Sequence, residues 1–243
     1  MRIRMAGATD VGRRRKANQD SLFYDAAQGI GIVADGIGGR SGGEVASSMV
    51  VNGLRKAFLE VDRIRHEEIH PFLTTNVDRI NQQLLDRGAQ DPMLSGMGTT
   101  LNCVMFVGNK LVLAHIGDSR TYLYSQGHLF QLTLDHNVKT FLERGWLGSD
   151  SVIPGSGESA LVRALGLFEH CEVDIYEKTV KGGEIYLTSS DGLFDMVRDA
   201  DIARIISNNL DDFNNLPTKL IAEANRNGGR DNITVLLSKM DGD

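Results

Sequence analysis

A chain of 243 residues, 41% apolar and 24% charged, is long enough to bury a substantial core and too evenly mixed to be a disordered tract. Its net charge of −6 argues against a nucleic-acid partner, which calls for a basic face. Cys103 and Cys171 have no metal-ligand spacing, the opening residues carry no apolar signal segment, and no apolar run nears the roughly 20 residues of a membrane helix. A reducing cytoplasm is therefore the expected compartment, with no membrane partner.

Along the chain, 22–24 and 30–34 read as strands joined by a short turn. A helix is expected over 43–61, with Val45, Met49, Leu54, Phe58 and Val61 as its buried stripe. A second helix should follow Pro71, which suits a first-turn position, and Leu73, Val77, Ile80 and Leu84 recur on one face. Strands at 99–107 and 110–116 flank the turn Gly108-Asn109, and strands at 120–124 and 128–132 flank Gln126-Gly127. A short helix over 137–144 leads into residues 145–160, a Gly- and Ser-rich stretch with Pro154 that reads as an exposed, mobile loop. Strands return at 172–178 and 184–188, helices at 200–208 and 213–226, and a final strand at 232–238. With no repeat or linker, the chain reads as a single domain over 1–243. Hairpins bracketed by helices predict an α+β fold of packed antiparallel sheets with helices outside.

One pattern recurs: an apolar strand runs into a turn that carries an aspartate. It appears at Asp35-Gly36, at Gly117-Asp118-Ser119, at Asp191-Gly192 and, ahead of the last strand, at Arg230-Asp231-Asn232. One Asp beside Gly is ordinary turn chemistry. Four at strand ends are different, because neighbouring ends converge and clustered carboxylates repel one another unless a cation sits among them. Oxygen ligands without His or Cys favour Mg²⁺ or Mn²⁺ over Zn²⁺, and the Gly36 carbonyl is free to face an ion. Two such ions acidify a water and neutralise charge in phosphoryl transfer, so no protein nucleophile is needed. None is signalled: there is no G-x-S-x-G elbow and no reactive Cys loop.

Eight segments, taken in order, resemble the motifs of the metal-dependent protein phosphatase family, the protein phosphatase 2C type. They are Arg15-Lys16-Ala17-Asn18-Gln19-Asp20, Val33-Ala34-Asp35-Gly36-Ile37-Gly38-Gly39 with Gly43-Glu44 after it, Gly98-Thr99-Thr100, and Gly117-Asp118-Ser119-Arg120. The rest are Leu132-Thr133-Leu134-Asp135-His136, Ala164-Leu165-Gly166, Ser190-Asp191-Gly192, and Gly229-Arg230-Asp231-Asn232-Ile233-Thr234. They span nearly the whole chain, and its compact length resembles bacterial members.

The resemblance implies two antiparallel sheets flanked by helices, with metals in a cleft at one end. It also implies roles. Asp35 bridges two core ions, Gly36 offers its carbonyl, and Asp191 and Asp231 complete the second core site. Asp118 with Asp191 holds a possible third ion. Asp20, Gln19 and Asn232 support the centre from behind, and Arg15 grips the substrate phosphate with its two-pronged guanidinium. Arg15 lies in a basic run, Arg13 to Lys16, whose other members read as solvated surface. Ser119, Arg120, Thr99, Thr100 and His136 read as structural.

Two departures from the family pattern stand out. Gln19 replaces a common Glu and brings no charge, and Ile37 replaces the His that eukaryotic members carry as a proposed general acid. The implied activity is hydrolysis of phosphoserine and phosphothreonine on proteins, opposing a cognate bacterial Ser/Thr kinase and acting as a monomer. Residues 145–160 occupy the position of the family's variable flap. A non-catalytic relative is a poor fit, because the metal aspartates are present. A two-metal nuclease is a poor fit to the acidic charge.

Overall fold

In the middle of the chain, strands 101–107 and 110–116 are mostly apolar and buried at nearly every position, and such strands are stable only with both faces covered. In a computed structural model of the protein, residues 2–38, 42–61, 64–148 and 157–241 are described. Two five-stranded antiparallel sheets supply the covering for each other. One has β1 (Arg2–Asp10), β12 (Ile233–Asp241), β11 (Ile185–Ser189), β8 (Arg120–Ser125) and β9 (His128–Gln131) in that order. The other runs β10 (Asp174–Thr179), β7 (Lys110–Ile116), β6 (Leu101–Val107), β3 (Ile30–Ala34), β2 (Ser21–Asp25).

The period of two along each strand sorts side chains into layers. From β12, Leu236 and Met240 enter the seam between the sheets, with Val33, Val104, Phe106, Leu111, Leu113 and Tyr186. Ile233, Val235 and Leu237 of the same strand face outward, under α5 (Asp199–Ser207) and α6 (Leu216–Arg226). Ile30, Ile32, Cys103, Met105, Val112 and Ala114 face outward from the other sheet, under α1 (Gly42–Leu59) and α2 (His66–Gln90). The result is the expected α+β architecture, with helix, sheet, sheet and helix in four layers. Leu236 is fully buried in the seam, so Leu236→Ala should cost about 2–5 kcal/mol. A fall in the urea midpoint at constant m-value checks it.

Several expectations about elements need correcting. The strand β1 was not signalled: most of its residues are small or charged, and only Met5 and Ala6 are buried. It forms because β12 offers a full-length edge, from Arg2 opposite Asp241 to Asp10 opposite Ile233. Helix α2 starts five residues before Pro71, which lies inside it. Its start is set by the Glu68 carboxylate, which accepts from the Arg65 N–H at 3.0 Å. Pro71 is on the exposed face, where water can meet the carbonyl left unpaired. Helix α1 ends at Leu59, and Val61 lies beyond it and is exposed. Leu54 and Phe58 lie on the buried face of α1 as expected, joined by Ala46, Val50, Val51 and Ala57, with Val45 and Met49 only half-buried. Phe213 belongs to a 3₁₀ turn, Leu210–Asn215, and α6 starts at Leu216 with Pro217 in its first turn. The short helix α3 is Val138–Glu143, capped by the Asn137 side chain. Of the flap, residues 149–156 lie outside the described residues, as does Gly39.

Candidate metal centre

At one end of the sandwich the predicted residues meet in a cleft of about 370 Å³. Arg15, Gln19, Asp35, Gly36, Asp118, Asp191 and Asp231 all line it. Asp20 and Asn232 sit behind it, 8% and 4% exposed.

Asp35 follows β3, and neighbouring backbone fastens it. Its N–H donates to Thr100 Oγ1 at 2.9 Å, and its carbonyl accepts from the Thr100 N–H at 2.9 Å and from Thr99 Oγ1 at 2.8 Å. These two threonines were read only as a strand start. After Asp35 comes β4 (Gly36–Ile37), paired with β5 (Gly98–Thr99). A Cβ on Gly36 would lie 2.2 Å from the Gly43 carbonyl oxygen, so only glycine lets the first turn of α1 close on the site.

Asp118 follows Gly117, which His136 brackets. The Gly117 N–H donates to His136 Nδ1 at 3.1 Å, and the His136 N–H donates to the Gly117 carbonyl at 2.8 Å. Ser119 Oγ pairs with Thr100 Oγ1 at 2.7 Å, and Arg120 forks onto Asp135. These residues are structural, as expected. Asp191 is the first residue of a four-residue helix, α4 (Asp191–Phe194), rather than of a turn.

Behind the cleft, Asp20 Oδ2 accepts from Ser190 Oγ and Thr234 Oγ1, each at 2.7 Å. Asn232 clasps the loop that carries Arg15. Its Oδ1 accepts from the Gln19 N–H at 2.8 Å, and its Nδ2 donates to the carbonyls of Val11 at 3.0 Å and Ala17 at 2.9 Å. Arg15 donates to Asp231 Oδ2 at 2.6 Å, and Asp231 Oδ1 accepts from the Asn232 N–H at 2.8 Å.

Acid crowds acid in this cleft. Burial, then the charges of Asp20, Asp191, Asp118 and Asp231, raise the Asp35 carboxyl well above the ordinary range. Asp191 is raised in the same way, first by burial, then by Asp118 and Asp231. Burial takes Asp20 and Asp118 each up to about 6. Oδ1 of Asp20 and Oδ1 of Asp191 are buried without a hydrogen-bond partner. Among the described residues, no three His, Cys, Asp or Glu side chains stand in ready-made ligating geometry; the carboxylates share the cleft without forming such a cage. Their chemistry nevertheless fits hard divalent cations. All are oxygen donors, two have oxygens with unused lone pairs, and ionising them together is costly unless positive charge is added.

The chain matches the family model described as Protein phosphatase 2C over residues 11–215. It is 36% identical over 234 residues to the serine/threonine phosphatase stp of Listeria innocua, covering 94% of this chain and 92% of the relative. The crystal structure of the Mycobacterium tuberculosis serine/threonine phosphatase PstP/Ppp superposes with a TM-score of 0.86 at 32% identity over the full length of both chains. A PstP catalytic domain solved in complex with two manganese ions superposes at 0.85, with 33% identity and 99% of each chain covered. The chain belongs to the protein phosphatase 2C family. Membership makes it a serine/threonine phosphatase of a metal-dependent class. Among the described residues, no helix is long and apolar enough to cross a membrane.

Proposed function

We propose that this chain, as a single domain over 1–243, removes phosphate from phosphoserine and phosphothreonine side chains of proteins at a centre of two Mn²⁺ or Mg²⁺ ions. The observation that carries the reading is one cleft lined by carboxylates from four separated strand ends, with an arginine beside them. Asp35, the Gly36 carbonyl, Asp191 and Asp231 would hold the core pair, and Asp118 with Asp191 a third ion. When bound, such ions supply a water acidic enough to attack at neutral pH and offset charge on the phosphoryl oxygens.

The chain's own residues do the rest. Arg15 presents two N–H groups to two phosphoryl oxygens. Asp20, fixed by Ser190 and Thr234 behind the cleft, would support the centre from there. Gln19 adds an uncharged polar group to the cleft wall. Asn232 keeps the Arg15 loop in register with Asp231. The natural counterpart is a cognate Ser/Thr kinase whose products this chain reverses, acting as a monomer in the cytoplasm, with Ser159 and Ala160 from the end of the flap stretch on the cleft wall.

The decisive assay is release of phosphate from a phosphothreonine peptide with Mn²⁺, with and without EDTA. No metal-dependent release would end the proposal. Arg15→Ala should raise KM roughly tenfold with a smaller change in kcat, since it grips a group already present in the ground state. Steady-state kinetics on the same peptide checks this. Asp118→Asn should abolish binding of the third ion and leave the core pair, read as one fewer Mn²⁺ per chain by calorimetry.

A further inference from the structure

The cleft's lining is not acidic throughout: Ile37, Leu161 and Leu167 contribute to it alongside the carboxylates. Leu167 is 36% exposed and the adjacent Phe168 is 39% exposed, both large apolar side chains left at the surface.

Leu167 is held there by design of the surrounding chain. Asn81 stands on the buried face of α2 among Leu73, Val77, Ile80 and Leu84, where a polar side chain is costly unless fully bonded. It spends its bonds on one loop. Its Oδ1 accepts from the Gly166 N–H at 2.7 Å, and its Nδ2 donates to the carbonyls of Phe168 at 2.9 Å and Glu169 at 3.3 Å. On the other side, Leu165 exchanges backbone hydrogen bonds with Thr99 at 2.9 and 3.0 Å. Leu167 then lies over Gly98, where a Cβ would come within 2.6 Å of Leu167 Cγ. Gly98 is the strand partner of Ile37, so the pairing places Ile37 and Leu167 together. A fixed, solvent-facing apolar wall beside an acidic floor is a recognition surface rather than leftover core.

Resting on the phosphatase reading, we infer that this wall selects phosphoproteins carrying an aliphatic residue directly beside the phosphorylated Ser or Thr. Consecutive Cα atoms are about 3.8 Å apart. A peptide whose phosphoryl group reaches Arg15 therefore presents its adjacent side chain to the cleft's flank. An aliphatic neighbour gains by leaving water there, while serine gains nothing.

The test uses two phosphothreonine peptides that differ only in Leu or Ser at the positions flanking the phosphothreonine. They are assayed with Mn²⁺ on the wild type and on Leu167→Ser, with p-nitrophenyl phosphate read in parallel. The wild type should favour the Leu-flanked peptide about tenfold in kcat/KM, equivalent to ~1.4 kcal/mol. Leu167→Ser should bring that ratio below about threefold. The ratio is taken within each protein, so a general change in turnover cancels. Equal kcat/KM for the two peptides in the wild type, or a wild-type ratio in Leu167→Ser, overturns the inference and leaves the phosphatase reading standing. Failure to hydrolyse p-nitrophenyl phosphate and both peptides removes both.

Discussion

Asp191→Asn, assayed on a phosphothreonine peptide with saturating Mn²⁺, should turn over about a hundred- to thousandfold more slowly than the wild type. That is the scale on which loss of one preorganised electrostatic group at a reacting centre is felt. The amide has the carboxylate's shape, so α4 and its Ser190 cap have no reason to move. What changes is charge. Asp191 has an oxygen buried without a partner and is pushed toward the protonated form by burial, Asp118 and Asp231. A neutral amide removes that repulsion, so the metal-stripped variant should melt at or above the wild-type temperature while its activity collapses. Lower activity with higher stability is the signature of a side chain kept for chemistry at the fold's expense. Turnover within threefold of wild type would exclude Asp191 from the centre.

The second large effect joins pH to metal. Burial pushes Asp20 and Asp118 up to about 6 in the folded chain, and burial with the neighbouring acids raises Asp35 and Asp191 well above the ordinary range, against about 4 when unfolded. Below pH 4 these groups are protonated in both states and folding does not feel them. As pH rises through 4 to 6 and beyond, the unfolded chain releases protons that the folded chain retains. Stability contributed by the neutral forms is lost in that window. A cation reverses the loss by favouring the ionised carboxylates.

Manganese in hundredfold excess over its Kd should therefore raise Tm by about 5–10 °C at pH 7 and by little at pH 5, where protons occupy its ligands. His115 runs the other way: burial lowers its pKa to about 3, so it favours folding increasingly as pH rises toward 6.5. That contribution is the same with and without metal, and the manganese-minus-EDTA difference cancels it. Equal manganese shifts at pH 5 and pH 7, checked by calorimetry or a thermal-shift assay, would contradict the carboxylate ligand set.

Much of the fold was legible because apolar strands announce themselves. Residues 101–107 and 110–116 are buried almost throughout and separated by a two-residue turn, and the hairpin they form needed no tertiary information. Strand β1 was invisible for the opposite reason. It carries Arg2, Arg4, Gly7 and Ala8, and it is a strand because β12 pairs with it. Pro71 misled because the local rule places proline at a helix start, whereas Ile69 is fully buried and the Arg65–Glu68 contact extends the helix a turn and more upstream.

The site shows the same division. Asp35, Asp118, Asp191 and Asp231 could be picked out as a recurring dipeptide chemistry at strand ends, and Arg15 only because the segment from Arg15 to Asp20 resembles a family motif. The fastening of Asp35 by Thr99 and Thr100, the clasp of Asn232 on the Arg15 loop and the anchoring of residues 166–169 by Asn81 could not. Each links positions some 65 to 220 residues apart, and no local pattern encodes such a pairing.

The position of β12 inside its sheet, between β1 and β11, has a consequence for how activity arises during synthesis. Until residues 233–241 have left the ribosome, β1 has no strand to pair with and the sheet has a gap between β1 and β11. Asp231 and Asn232, which immediately precede that strand, also arrive late. A nascent chain that stops short of these residues therefore lacks both the pairing partner of β1 and two of the side chains gathered at the cleft.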